Sequence, residues 1–190
     1  MNGLRVHQDL CRQFAVLLTY PDKSVEDHAS ACIKTMRTLD SDAAACLETF
    51  LRFTGTNDFC RIEEAFTGTF DLQSLCHPYV GYQLCGESRQ RTLFMLKLSE
   101  IYRQFDFTPG RELPDHLAEM LRFLGSISDQ ECRREIIQDG ILPALMKITQ
   151  QLESDENPYQ ALLKSLQYFL TSSLTENVWW HADRQKERVS

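Results

Sequence analysis

Apolar residues recur at three- and four-residue spacings along almost the whole chain, and no alternating stretch of useful length interrupts them. That period belongs to amphipathic helices rather than to half-buried strands. Scarce glycine (8) and proline (6) agree, because a turn-rich β fold or a phosphate-cradling glycine loop would need more of both. Leu10, Phe14, Leu17 and Leu18 form a first stripe, stopped by Tyr20-Pro21. Ser24 opens a second helix, with Asp27 three residues on as a capping-box variant. Asp40 or Ser41 caps a third, which carries Leu47, Phe50 and Leu51 and ends near Gly55. Asp58 starts a fourth with Ile62, Ala65 and Phe66, and Pro78 should kink or break the apolar run from Leu72 to Leu84.

Further on, Ser88 caps a helix with Phe94, Leu98, Ile101 and Phe105 on one face, and Phe107–Gly110 is a loop. Pro114 is expected in the first turn of the next helix, where Asp115 and Glu119 would meet the positive end of the dipole and Leu117, Met120, Leu121 and Leu124 would be buried. A helix near Gln130–Gln138 should stop at Asp139-Gly140, with Leu142–Leu152 and a last helix from Pro158 following. The sequence therefore predicts one all-α domain of about nine helices over residues 1–178. Trp179-Trp180 would seal its end, and residues 179–190 would form a polar tail.

The charge is 20 Lys+Arg against 27 Asp+Glu, net −7, which argues against general nucleic-acid binding and would attract a basic peptide. The seven cysteines lack any CxxC or CxC pair, so zinc-finger, iron–sulfur and thioredoxin-type sites fail on spacing. Free thiols in this number point to the reducing cytoplasm. The run Phe14–Leu18 is far short of the ~18 residues a membrane span requires, and acidic residues spoil it as a signal peptide.

Catalytic templates are missing: no GxSxG, Walker loop, GxGxxG or HExxH occurs. His116 and Glu119, one turn apart, would supply only half of a di-iron site, so no metal or other cofactor is expected. Cys76-His77 point about 100° apart on a helix and do not form a thiol–imidazole pair.

The informative block is residues 86–124, opening Gly86-Glu87-Ser88-Arg89-Gln90-Arg91 and closing Glu112-Leu113-Pro114-Asp115-His116-Leu117. With Leu17–Asp22, Glu64-Ala65-Phe66 and Phe70-Asp71 in the same order, this block resembles the nitrate reductase delta-subunit family (NarJ-like). That family is one of the TorD- and DmsD-type redox-enzyme maturation chaperones. The resemblance implies a TorD-like all-helical fold without catalysis. It implies a cytoplasmic chaperone that binds the N-terminal segment of a molybdoenzyme catalytic subunit until molybdenum cofactor insertion and complex assembly. It also leaves room for a monomer or a segment-exchanged dimer, hinged at Phe107–Gly110.

An apolar groove with an acidic rim would suit such a basic, helix-forming client. Asp115 is expected to accept a client Arg or Lys, with His116 beside it at the groove edge and Glu112, Leu113 and Pro114 completing that segment. On this reading Asp115→Ala leaves the melting temperature nearly unchanged. Glu87, Arg89 and Arg91 are expected to fix the helix-to-helix turn by local ion pairs, and Tyr102 to wall the groove. Two alternatives stand beside this: a helical metal-dependent hydrolase around His116 and Glu119, and a helical adaptor with no maturation role.

Overall fold

A computed structural model describes residues 3–71, 76–152 and 157–175. Helices α1 (Gly3–Leu17), α2 (Val25–Met36), α3 (Ser41–Thr56) and α4 (Phe59–Phe70) come first. They are followed by α5 (Val80–Cys85), α6 (Arg89–Gln104) and α7 (Leu117–Ser126). Next, α8 (Gln130–Glu135), a π-helical turn (Ile136–Ile141) and α9 (Leu142–Gln151) run on as one rod, and α10 (Pro158–Thr175) closes the order. Counted as rods, these are nine helices among the described residues, in agreement with the periodicity. The boundary at 178, Trp179-Trp180 and the tail 179–190 lie outside the described residues.

Local chemistry sets most helix starts. The Asp40 carboxylate accepts from the Asp42 and Ala43 N–H groups, Asp58 from Arg61 N–H, and the Ser88 hydroxyl from Arg91 N–H. Ser24 departs from expectation. Its hydroxyl donates to Asp22 and caps no α2 amide, because its backbone (φ −93°, ψ 4°) lacks the extended shape that aims a cap side chain at them; Val25 N–H bonds Asp22 O instead. The expected stop at Asp139-Gly140 is also absent. Pro143 has no N–H and its ring crowds the carbonyl one turn back, and a widened turn accommodates both. The Leu142 N–H accordingly bonds Ile137 O, five residues back.

Helix α7 is the axis of the molecule, with eight of its ten residues buried. It packs along α1, and α10 packs along α3. Leu10, Phe14, Leu47, Leu121, Leu162 and Leu166 are all 0% exposed in one continuous core. Rings tie the outer helices on: Tyr159 sits 5.2 Å from Phe50 and 5.1 Å from Phe70, centroid to centroid.

Side chains from other helices meet the last carbonyls of α7. Arg12 donates to Gly125 O, Arg133 to Leu124 O and to Ile127 O (3.1 Å), and Gln8 to Ile127 O (2.8 Å). Two guanidiniums at the negative end of a helix also complement its dipole. His7 joins this group through Arg133 and Cys11.

The seven cysteines are free. Cys11, Cys32 and Cys76 are buried and pushed to about 11, 12 and 12 by burial, while Cys60 and Cys85 are exposed. None of the helices among the described residues is long and apolar enough to cross a membrane.

The α1–α7 contact leaves no room at Gly125, where an added Cβ would lie 2.6 Å from Arg12 Cγ and 3.1 Å from Gln8 O. Gly125→Ala should therefore separate the two helices and cost about 1–3 kcal/mol, as overpacking typically does. Urea unfolding followed by circular dichroism measures this; Gly68→Ala, with no atom within 4 Å of its Cβ, is the control expected to show no loss.

Candidate functional site

The Gly86–Leu124 block folds into one node where α5, α6 and the entry to α7 meet. The start of α5 and the approach to α7 pair like a fragment of antiparallel sheet. Val80 N–H donates to Asp115 O (2.7 Å) and Leu117 N–H to Pro78 O (2.8 Å), around a bridge between Tyr79 and His116. Pro78 therefore sits ahead of a helix rather than inside one, and its free carbonyl is used. Pro114 likewise precedes α7 by three residues, so Asp115 lies in the connecting segment and not in the first helical turn.

Arg91 fills the space between these strands of chain. Its Nε donates to Asp115 Oδ2 at 2.9 Å and it pairs with Glu87 one turn back. The guanidinium carbon lies 5.3 Å from the centre of the Tyr79 ring and 5.7 Å from that of Tyr82. The hydrogen bond to Asp115 raises the Arg91 pKa above its usual value. Glycine is required at position 81, where a Cβ would stand 2.8 Å from Asp115 Oδ2 and 2.9 Å from Phe94.

These facts correct the expected roles of Asp115 and His116. Asp115 is 0% exposed and its carboxylate is already held by the chain's own Arg91, so it does not stand at a groove edge as an acceptor for a client cation. His116 is 6% exposed and is the N-cap of α7, its Nδ1 accepting from Ala118 N–H at 3.2 Å. Burial holds its pKa below the usual value against the raising effect of Glu112, Glu119 and Asp115, so the ring stays neutral and keeps the acceptor the cap needs. Tyr102 is core, 1% exposed, with its hydroxyl donating to Pro114 O at 2.9 Å and its ring 4.7 Å from that of Phe123. Glu119 accepts from Gly110 N–H and from Arg122, and among the described residues no group of three or more His, Cys, Asp or Glu stands together to hold a metal ion.

Glu87, Arg89, Glu112 and Leu113 are the expected residues that reach solvent fully, with Pro114 half-buried. Glu112 also accepts from the Tyr79 hydroxyl at 3.2 Å. Arg91 fixes the turn between α5 and α6 through an ion pair; Arg89 stays exposed.

Beside this node runs a groove that the sequence reading missed. Phe94, Leu98 and Ile101 of α6 form one wall, Met120 and Gly140 the floor, and Ile136 the other side, around about 120 Å³ of free space. Glu135 and Asp139 rim it, and Lys97 faces them. Leu93 and Leu96 of α6 are more than half exposed but lie on another face of the helix and do not line the groove.

Breaking the node should be costly. Asp115→Ala leaves Arg91 buried without its carboxylate, a loss of about 3–5 kcal/mol, or roughly 6–20 °C in melting temperature at about 2–4 °C per kcal/mol. Adding Arg91→Leu should recover most of that, as differential scanning calorimetry of the double variant would show.

His116 gives a pH signature. Above about pH 6.5 both folded and unfolded imidazoles are neutral; below it the unfolded chain takes up a proton that the folded one resists, so stability falls with pH. His116→Asn keeps a cap acceptor and removes this titration. Its urea stability should decline less than that of wild type between about pH 7.5 and 5, leaving the share that belongs to His7, itself held well below its usual pKa by burial and Arg133.

Residues 36–176 match the family described as nitrate reductase delta subunit. NarJ of Bacillus subtilis (strain 168) is 33% identical over 104 residues, which is 54% of this chain and 55% of that protein. NarJ of Escherichia coli (strain K12), a nitrate reductase molybdenum cofactor assembly chaperone, is 30% identical over 154 residues, 79% of this chain and 64% of its own length. The chain thus spans less than two thirds of either relative. A redox enzyme maturation protein structure from Archaeoglobus fulgidus superimposes with a TM-score of 0.60 at 19% identity, covering 87% of this chain and 93% of that one, which establishes the shared fold. With most of its length inside that match, this chain belongs to the nitrate reductase delta-subunit family.

Proposed function

We propose that the protein is an assembly chaperone for a molybdenum-dependent nitrate reductase or a close relative. It binds the N-terminal segment of the catalytic subunit in the cytoplasm, holds that subunit until molybdenum cofactor insertion and complex assembly, and then leaves. Family membership carries this reading. The geometry supports it in two ways. The histidine and carboxylates that might have done chemistry are engaged as a helix cap and internal ion pairs. A ready-made apolar groove with carboxylates at its rim suits a basic, helix-forming segment. The net charge of −7 would add steering toward such a segment.

Isothermal titration with a synthetic peptide of the first residues of a nitrate reductase catalytic subunit tests the reading. The peptide should bind with one-to-one stoichiometry. Affinity should fall severalfold as the screening length contracts from about 30 Å at 0.01 M salt to about 3 Å at 1 M. Absence of binding to the leading segments of all molybdoenzyme catalytic subunits of the same organism would refute it.

A further inference from the structure

We infer that the exposed face of α6 is a self-docking surface, on which a second copy of this chain packs its own α6 antiparallel about a two-fold axis. The inference goes beyond the chaperone reading and does not depend on it.

The face is a narrow stripe. Arg89, Leu93, Leu96, Glu100 and Arg103 follow one another at spacings of four, three, four and three residues, and all five are exposed. At about 100° per residue they fall within an arc of about 80°. That arc is turned away from Arg91, Leu98 and Tyr102, the residues that α6 buries. Leu93 and Leu96 at its middle are 55% and 57% exposed, so two neighbouring leucines stand in water.

The order of charges selects the occupant. From Arg89 to Glu100 the stripe reads cation, leucine, leucine, carboxylate. Run backwards, that pattern is its own complement. In an antiparallel pair centred between Phe94 and Met95, Leu93 meets the partner's Leu96 and Arg89 meets the partner's Glu100, and the two-fold axis repeats both contacts. A parallel pair would set Arg89 on Arg89 and Glu100 on Glu100.

The same charges are misplaced for α6 alone. Arg89 is the first residue of the helix, whose first turn holds no acidic residue, and Glu100 lies one turn from the C-terminal end. A cation at the positive end opposes the dipole, and an anion near the negative end gains nothing from it. Arg91 has Asp115 to hold it in that first turn, but Arg89 stays exposed. An antiparallel neighbour removes the mismatch, because each charge then stands beside the opposite end of the second dipole. Arg103, in the last turn, already suits its own helix. One helix face of this length buries less than the roughly 1,200 Å² at which standard interfaces begin, so the dimer is weak and forms at high concentration.

Sedimentation equilibrium of the full chain, in a concentration series reaching the millimolar range, tests this. Wild type should pass from monomer to dimer. Leu93→Ser and Leu96→Ser should each lower the association constant at least about fivefold, since each leucine is used twice in a two-fold contact. Arg89→Glu alone and Glu100→Arg alone should each weaken self-association by at least about fivefold, since each turns two attractions into repulsions. Mixed one to one, these two charge variants should form a heterodimer as strong as the wild-type dimer. The double variant Arg89→Glu/Glu100→Arg should recover self-association by itself. All four altered residues are exposed, and melting curves should show that folding is unchanged.

A wild-type chain that stays monomeric throughout overturns the inference. So does a dimer that survives both leucine substitutions, because it forms through another surface or by exchange of a segment. A mixture of the two charge variants that associates no better than either alone overturns the antiparallel pairing.

Discussion

One buried ion pair, Arg91 with Asp115, organises the part of the molecule built by the Gly86–Leu124 block. Two charges taken out of water are costly, and the pair is tolerable only because every surrounding group contributes. Glu87 shares the guanidinium, two tyrosine rings flank it, and Gly81 leaves the space that Asp115 needs. The pair fixes which end of α6 stands against α7. It therefore also fixes the direction in which α6 leaves the core and the slot that opens along its far side. Residues that look functional by type thus act at one remove: Asp115 positions α6, and His116 starts α7.

Helix α7 shows the same logic at a larger scale. A ten-residue helix buried on nearly all sides cannot rely on solvent at its ends. An imidazole closes its N-terminus, and two arginines and a glutamine from α1 and α8 close its C-terminus. These contacts weld α1, α7 and α8 into a rigid base. Helix α6, by contrast, buries only Arg91, Leu98 and Tyr102 among its sixteen residues. Of its remaining apolar side chains, Phe94 and Ile101 pack partly against the core, while Leu93 and Leu96 are exposed.

Much of the fold was legible because its signals are local. Asp40, Asp58 and Ser88 cap the helices they precede, and the stripes in α1, α3 and α7 belong to the core. The misreading of the α7 entry has a distant cause, and that of Ser24 a near one. Pro114-Asp115 has the composition of a helix start, yet Arg91, twenty-four residues away, takes the carboxylate, and Val80 takes the Asp115 carbonyl. Ser24 has a cap's identity but serves Asp22. The site was half legible: the block that marks it was evident, but the sign of exposure was not. A charged residue in a helix-joining segment reads as surface unless its buried partner is known. The groove needed tertiary knowledge too, since Phe94 and Ile136 share a cavity only after α6 and the π turn are brought side by side.

The π turn has a consequence for how the chain tolerates change in length. A turn of this kind holds one residue more than the α-helical count, so the rod from Gln130 to Gln151 is two helices out of phase by about 100°. The first can present Arg133 to α1 while the second presents Ala144, Leu145 and Ile148 inward. Losing a single residue between 136 and 141 would remove the extra one, restore a regular helix and leave Ala144, Leu145 and Ile148 facing inward, whereas a residue lost within 142–151 would turn everything after it by about 100°. Homologous chains should thus tolerate a one-residue deletion in this six-residue stretch better than one inside α9.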